Sequence, residues 1–200
     1  MENPIIVVGY RSGTEYLTEA IAAAGIPMWG WKGSHSEDGD IQGWNAAEVD
    51  LVPIDARKLP FEYVPSEGLM ARLREYGKRR QETADKHGRW GFKEPRCASL
   101  WRAYHEVFPE ARWVVCIRNS MSVVCSQAAR GKVTEFIPAL GTHIKYLLNI
   151  MCLPTIETHV HWFNYEGDIE RGELALRTIL GIDVELVAGW QWKPGLRPDV

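Results

Sequence analysis

The stretch Ile5-Ile6-Val7-Val8-Gly9-Tyr10-Arg11-Ser12-Gly13-Thr14 constrains this chain most, because Glu15-Tyr16-Leu17-Thr18-Glu19-Ala20 follows it. A short β-branched run ends at a glycine and a tight turn. A helix-compatible stretch with apolar Leu17, Ile21 and Ala24 then begins. Strand, glycine loop, helix is how an α/β protein makes an anion site: the loop aims backbone N–H groups inward, and the helix N-terminus adds partial positive charge. Here the loop also carries the cation Arg11 and the hydroxyls of Ser12 and Thr14. Those donors suit a phosphate or a sulfate. A Walker loop is excluded, because no Lys follows Gly13 and the Glu15 carboxylate would repel the terminal phosphates of ATP. The competing reading is a plain turn in which Gly13 only relieves backbone strain.

A second segment favours the anion site. Ala111-Arg112-Trp113-Val114-Val115-Cys116-Ile117 is apolar, partly β-branched and short, as a buried strand should be. It ends at Arg118-Asn119-Ser120, and a helix-like stretch continues through Ser126 and Gln127. Ser120 is the expected N-cap of that helix. An Arg at a strand tip with a Ser eight residues later offers a charged fork and a neutral donor to a second phosphate.

At this point the chain resembles the sulfotransferases that use 3′-phosphoadenosine 5′-phosphosulfate (PAPS). In that family a P-K-S-G-T or P-R-S-G-T loop grips the 5′-phosphosulfate. A later R-D-P-x-x-x-x-x-S segment grips the 3′-phosphate. Gly9-Tyr10-Arg11-Ser12-Gly13-Thr14 matches the first, with Tyr10 in place of Pro. Arg118 and Ser126 match the second at the family spacing, with Asn119-Ser120 in place of Asp-Pro. Trp90-Gly91-Phe92-Lys93-Glu94-Pro95-Arg96 resembles the K-D-P-R segment of small bacterial members, and Val107-Phe108-Pro109-Glu110-Ala111-Arg112 resembles their lead into the 3′-phosphate strand. Trp162-Phe163-Asn164-Tyr165-Glu166-Gly167-Asp168 is similar to a Y-E-D-L segment. The R-K-G segment near the end of the cytosolic animal enzymes, which helps to bind the 3′-phosphate, has no counterpart in Trp190–Val200.

The resemblance implies a three-layer, P-loop-like α/β fold and a transfer of sulfuryl from PAPS to a hydroxyl or amine, leaving 3′-phosphoadenosine 5′-phosphate (PAP) and needing no metal. Gly9, Tyr10, Arg11, Ser12, Gly13, Thr14 and Glu15 would form the 5′ side of the nucleotide site, and Arg118 and Ser126 the 3′ side. Arg11 would contact the phosphosulfate and stabilise the leaving group. Lys93 would reach the transferred group, or else pair with a carboxylate such as Glu94 and fix the turn before Pro95. For the base, Gly43-Trp44-Asn45-Ala46-Ala47-Glu48 resembles a G-Y-x-E segment at altered spacing, which puts Glu48 first, His35 second and Glu15 third. Two alternatives stand beside this reading: an inactive nucleotide-binding protein of the same fold, and a kinase-like transferase using ATP and Mg²⁺.

Bulk properties permit this reading. Two hundred residues can bury one good core, so residues 1–200 are expected to be a single domain. A net charge of −3 argues against a generic nucleic-acid binder, and local cations must hold any nucleotide. The four cysteines form no C-x-x-C pair and suit reduced thiols. No signal peptide or 18-residue apolar run is visible, so a soluble, cytoplasmic enzyme with a small-molecule acceptor and no membrane partner is expected.

Along the chain, residues 13–25 read as a helix, 28–45 as a Trp- and Gly-rich substrate-facing flap, and 66–87 as a charged helix. A strand at Trp90–Lys93 and helices at Ala98–Val107 and 133–150 follow. Thr158–Tyr165 reads as a strand and Arg171–Leu180 as a closing helix. Alternating strands and helices imply a mostly parallel sheet with helices on both faces and ligands at the carboxyl ends of its strands. His159 and His161, two apart on one strand, read as an ordinary polar face. Lys78-Arg79-Arg80 reads as a solvated helix face.

Overall fold

A computed structural model of the chain describes residues 4–10, 12–29, 39–51, 64–84, 88–128 and 159–164, with 140–141, 143–144, 147–148, 150–151, 174, 176–178 and 181. The apolar run Ile5–Val8 forms β1, and the stretch after the glycine turn forms α1 (Thr14–Ala23). Then come β2 (Met28–Trp29), α2 (Gly39–Leu51), α3 (Glu67–Ala84) and β3 (Gly91–Lys93). A 3₁₀ turn (Pro95–Ala98) leads into α4 (Trp101–Val107), β4 (Arg112–Ile117), α5 (Ser120–Ala128) and β5 (Val160–Asn164). The described residues between 140 and 151, and those between 174 and 178, are helical.

The five strands form one all-parallel sheet in the order β2-β3-β1-β4-β5. β1 sits at its centre, aligned Val7 with Lys93 on one side and Val7 with Val114 on the other. A strand covered on both faces must be apolar at every position, which is why β1 and the interior of β4 read as unbroken hydrophobic runs. Ile5, Val7, Val114, Cys116 and Phe163 face Leu17 and Ile21 of α1. Ile6, Val8, Phe92, Trp113 and Val115 face the opposite way, against Leu69, Leu73 and Tyr76 of α3 and Trp101 and Tyr104 of α4. The fold is therefore α/β with helices on both faces, as the alternation of elements implies.

The flap expectation needs correction at both ends. Met28–Trp29 pairs with Gly91–Phe92 as an edge strand, and Gly39 onward is helix. Residues 30–38, which include His35, lie outside the described residues. Burial explains the helix: Ile41, Asn45 and Glu48 recur at helical spacing and are all buried. The cationic run on α3 is also only partly solvated. Arg79 pairs with Asp40, and the Arg80 guanidinium lies 4.6 Å from the Trp29 ring centroid and 4.8 Å from that of Tyr76.

Candidate functional site

β1 passes toward β2 through α1, whereas β4 leaves the other side of the sheet toward β5. The chain thus diverges between β1 and β4, and in open parallel sheets that crevice, at the carboxyl ends, is where ligands bind. Two loops meet there. Gly9 has φ 144°, and a Cβ on it would lie 2.5 Å from the Cys116 carbonyl oxygen and collide with Ser12 Oγ. Only glycine allows the β1 loop to lie this close to the end of β4. Gly13, at φ 85° and ψ 15°, is the left-handed N-cap of α1 and brings no capping side chain.

Ser12 is 2% exposed, and its Oγ has no hydrogen-bond partner among the described residues. An unsatisfied buried hydroxyl costs about 1–3 kcal/mol, so it marks a place where a partner belongs. Thr14, the first residue of α1, is buried, and its carbonyl accepts from Thr18 Oγ1 at 2.7 Å. Tyr10 and Glu15 are half-buried beside the loop. Arg11 lies outside the described residues.

Lys93 ends β3 in the row of Val7 and Val114, so it rises on the α1 side and is 5% exposed. Burial pushes the Cys116 thiol far up, and the Lys93 charge opposes that rise. Lys93 and Cys116 thus stand on the same face of the sheet, on either side of the central strand. Arg118 follows the tip of β4 and Ser126 lies within α5, both half-buried. The structure thus brings the described residues of Gly9–Glu15, Lys93 and the start of the Arg118 segment to one edge of the sheet.

Glu48 has a structural partner. Its carboxylate accepts from the Ser66 backbone N–H and from Ser66 Oγ, each at 2.8 Å, while Ser66 Oγ accepts from Leu69 N–H. The residue fastens α2 to the start of α3. Nor is Ser120 the cap of α5. Asn119 Oδ1 accepts from the backbone N–H of Met121 at 2.9 Å and of Ser122 at 3.4 Å, which makes Asn119 the N-cap.

Sequence reasoning missed a buried polar chain next to Lys93. Glu94, fully buried, accepts from Asn45 Nδ2 and from the Arg96 guanidinium, each at 2.8 Å. Asn45 Oδ1 in turn accepts from the Tyr104 hydroxyl at 2.9 Å. Burial pushes the Tyr104 hydroxyl and the Cys97 thiol well above their ordinary values, and the Glu94 charge adds to both rises. Glu94 also donates its backbone N–H to Val7, so the turn after Lys93 is tied to β1. The Glu94 carboxylate is thus held by Asn45 and Arg96. The only hint in the sequence was the charged pair before Pro95. The partners Asn45 and Tyr104 are distant in the chain.

His159, at the entry to β5, lies 3.9 Å from Glu110, and burial together with Arg112 and His159 holds His161 below its ordinary value. Compared with known proteins, the chain matches no family model and no curated protein. Among the described residues, no helix is long and apolar enough to cross a membrane.

Proposed function

We propose that this chain is a sulfotransferase that moves a sulfuryl group from PAPS to a hydroxyl or amine of a small acceptor. The observation that carries the reading is the β1 loop: a glycine-built turn into an uncapped helix, with a buried, unpartnered Ser12 hydroxyl inside it. That arrangement calls for an anion with oxygen acceptors. Lys93, at the end of the strand beside β1, supplies a cation, which suits a donor whose reacting end carries less charge than ATP.

In this reading the backbone and Ser12 hold the 5′-phosphosulfate, and Arg11 neutralises the charge that develops on the leaving phosphate. Arg118 and Ser126 select the 3′-phosphate. The acceptor oxygen or nitrogen attacks sulfur as the bond from sulfur to the 5′-phosphate oxygen breaks, so PAP leaves with the electron pair. The chain's part is positioning and charge stabilisation. The acceptor's proton goes to Glu48, His35 or Glu15. Glu48→Gln separates two roles: a base loses turnover at unchanged nucleotide affinity, whereas a helix fastener loses about 1 kcal/mol of stability and keeps turnover.

Thermal unfolding with PAP, with ADP and with ATP plus Mg²⁺ tests the donor. PAP at ~100 times its dissociation constant adds roughly 2.7 kcal/mol, and the midpoint should rise by roughly 5–10 °C. A rise with ATP and Mg²⁺ alone would instead favour a kinase-like transferase, and no rise with any ligand an inactive site.

A further inference from the structure

His143 is 3% exposed, and its Nε2 lies 3.1 Å from Ser120 Oγ at the start of α5. Its other ring nitrogen, Nδ1, is enclosed and has no hydrogen-bond partner among the described residues. Burial pushes the imidazole below its ordinary value, so the ring is neutral at pH 7 and carries one N–H. An orphaned buried N–H is rarer than an orphaned lone pair. The proton therefore belongs on Nε2, and Nε2–H donates to Ser120 Oγ. Ser120 is the acceptor in this pair, and its own O–H has no other partner among the described residues.

The position of that hydroxyl gives it a use. Ser120 stands two residues past Arg118, at the sheet edge that carries the β1 loop. Asn119 already takes the N–H groups of Met121 and Ser122, so side chains must do most of the work of holding an anion here. In the segment this chain resembles, a Pro stands where Ser120 is, so this donor departs from that pattern.

We infer that Ser120 donates a hydrogen bond to the second phosphate of the nucleotide, and that His143 is the positioning residue that turns its hydroxyl outward. The inference rests on the 3′-phosphonucleotide reading above. It supplies a donor on the side of the site where the chain has no R-K-G segment.

Binding of PAP and of adenosine 5′-phosphate, which differ only in the 3′-phosphate, tests it by calorimetry. Ser120→Ala should weaken PAP about tenfold and leave adenosine 5′-phosphate unchanged, as loss of a hydrogen bond to a charged group requires. His143→Phe should show the same selective loss, and His143→Gln, whose amide can still donate to Ser120, should restore it. A merely structural role for His143 would weaken both nucleotides together and would give no rescue by Gln. Equal losses for both nucleotides, or none, in Ser120→Ala would overturn the inference while wild-type PAP binding left the donor reading standing. If the wild-type protein binds no PAP, both fail.

Discussion

The loops after β1 and β4 leave neighbouring strands at the same edge, and each leads into a helix, yet they close that helix in opposite ways. Gly13 opens α1 with no side chain at all, and beside it the buried Ser12 hydroxyl has no partner among the described residues. Asn119 closes α5 with its own carboxamide. A helix N-terminus that caps itself has spent the N–H groups an anion would use, and one that does not has kept them. On the proposed reading, the two ends of a nucleotide would be held by different means: by backbone at the β1 loop, and by the side chains of Arg118, Ser120 and Ser126 at the β4 loop.

The largest expected effect comes from Gly9→Ala. A Cβ that collides with Cys116 and Ser12, at φ 144°, should cost more than about 3 kcal/mol in chemical denaturation, and survival at full stability would refute the close approach of the two loops. Ser12→Ala sharpens the contrast in the other direction. It removes an unsatisfied buried hydroxyl, so the unliganded protein should gain up to about 1 kcal/mol, while the thermal shift caused by PAP should shrink. An unchanged shift would show that the hydroxyl faces no ligand. Asn119→Ala should cost about 1 kcal/mol of stability by removing the cap, without loss of PAP affinity; a large loss of affinity would break the division of labour between the loops.

The smallest effect concerns acid. Burial lowers His143 from its ordinary 6.5, so the unfolded chain binds that proton more readily than the folded one. Stability is then undiminished above pH 6.5 and declines as pH falls from there toward the folded value. Denaturation midpoints of His143→Gln should fall less steeply over that window; equal slopes would remove His143 from the acid response.

The sheet was largely legible in the sequence. β1 and the interior of β4 are short apolar runs because both faces of a parallel sheet are covered, and β3 and β5 lie inside their expected bounds. β2 escaped notice because two residues carry no periodicity, and α2 because Gly39, Asp40 and Gly43 argue locally for a loop while burial of Ile41, Asn45 and Glu48 overrides them. The strand, glycine turn and helix order around Gly9 and Gly13 could be read from those residues alone. The buried Ser12 hydroxyl, the buried Glu94 chain and the Ser120–His143 pair could not, since each depends on residues brought together from distant parts of the chain.

The central place of β1 has a consequence for the birth of the protein. Its first hydrogen-bonded neighbours are Gly91–Lys93 and Arg112–Val115, so the strand emerges from the ribosome long before either partner exists. At ~5–20 residues per second, synthesis leaves it waiting for roughly 4–20 s. Until Gly91–Lys93 is made, Ile5–Val8 is an apolar segment with both edges unpaired, the kind of exposure that favours aggregation.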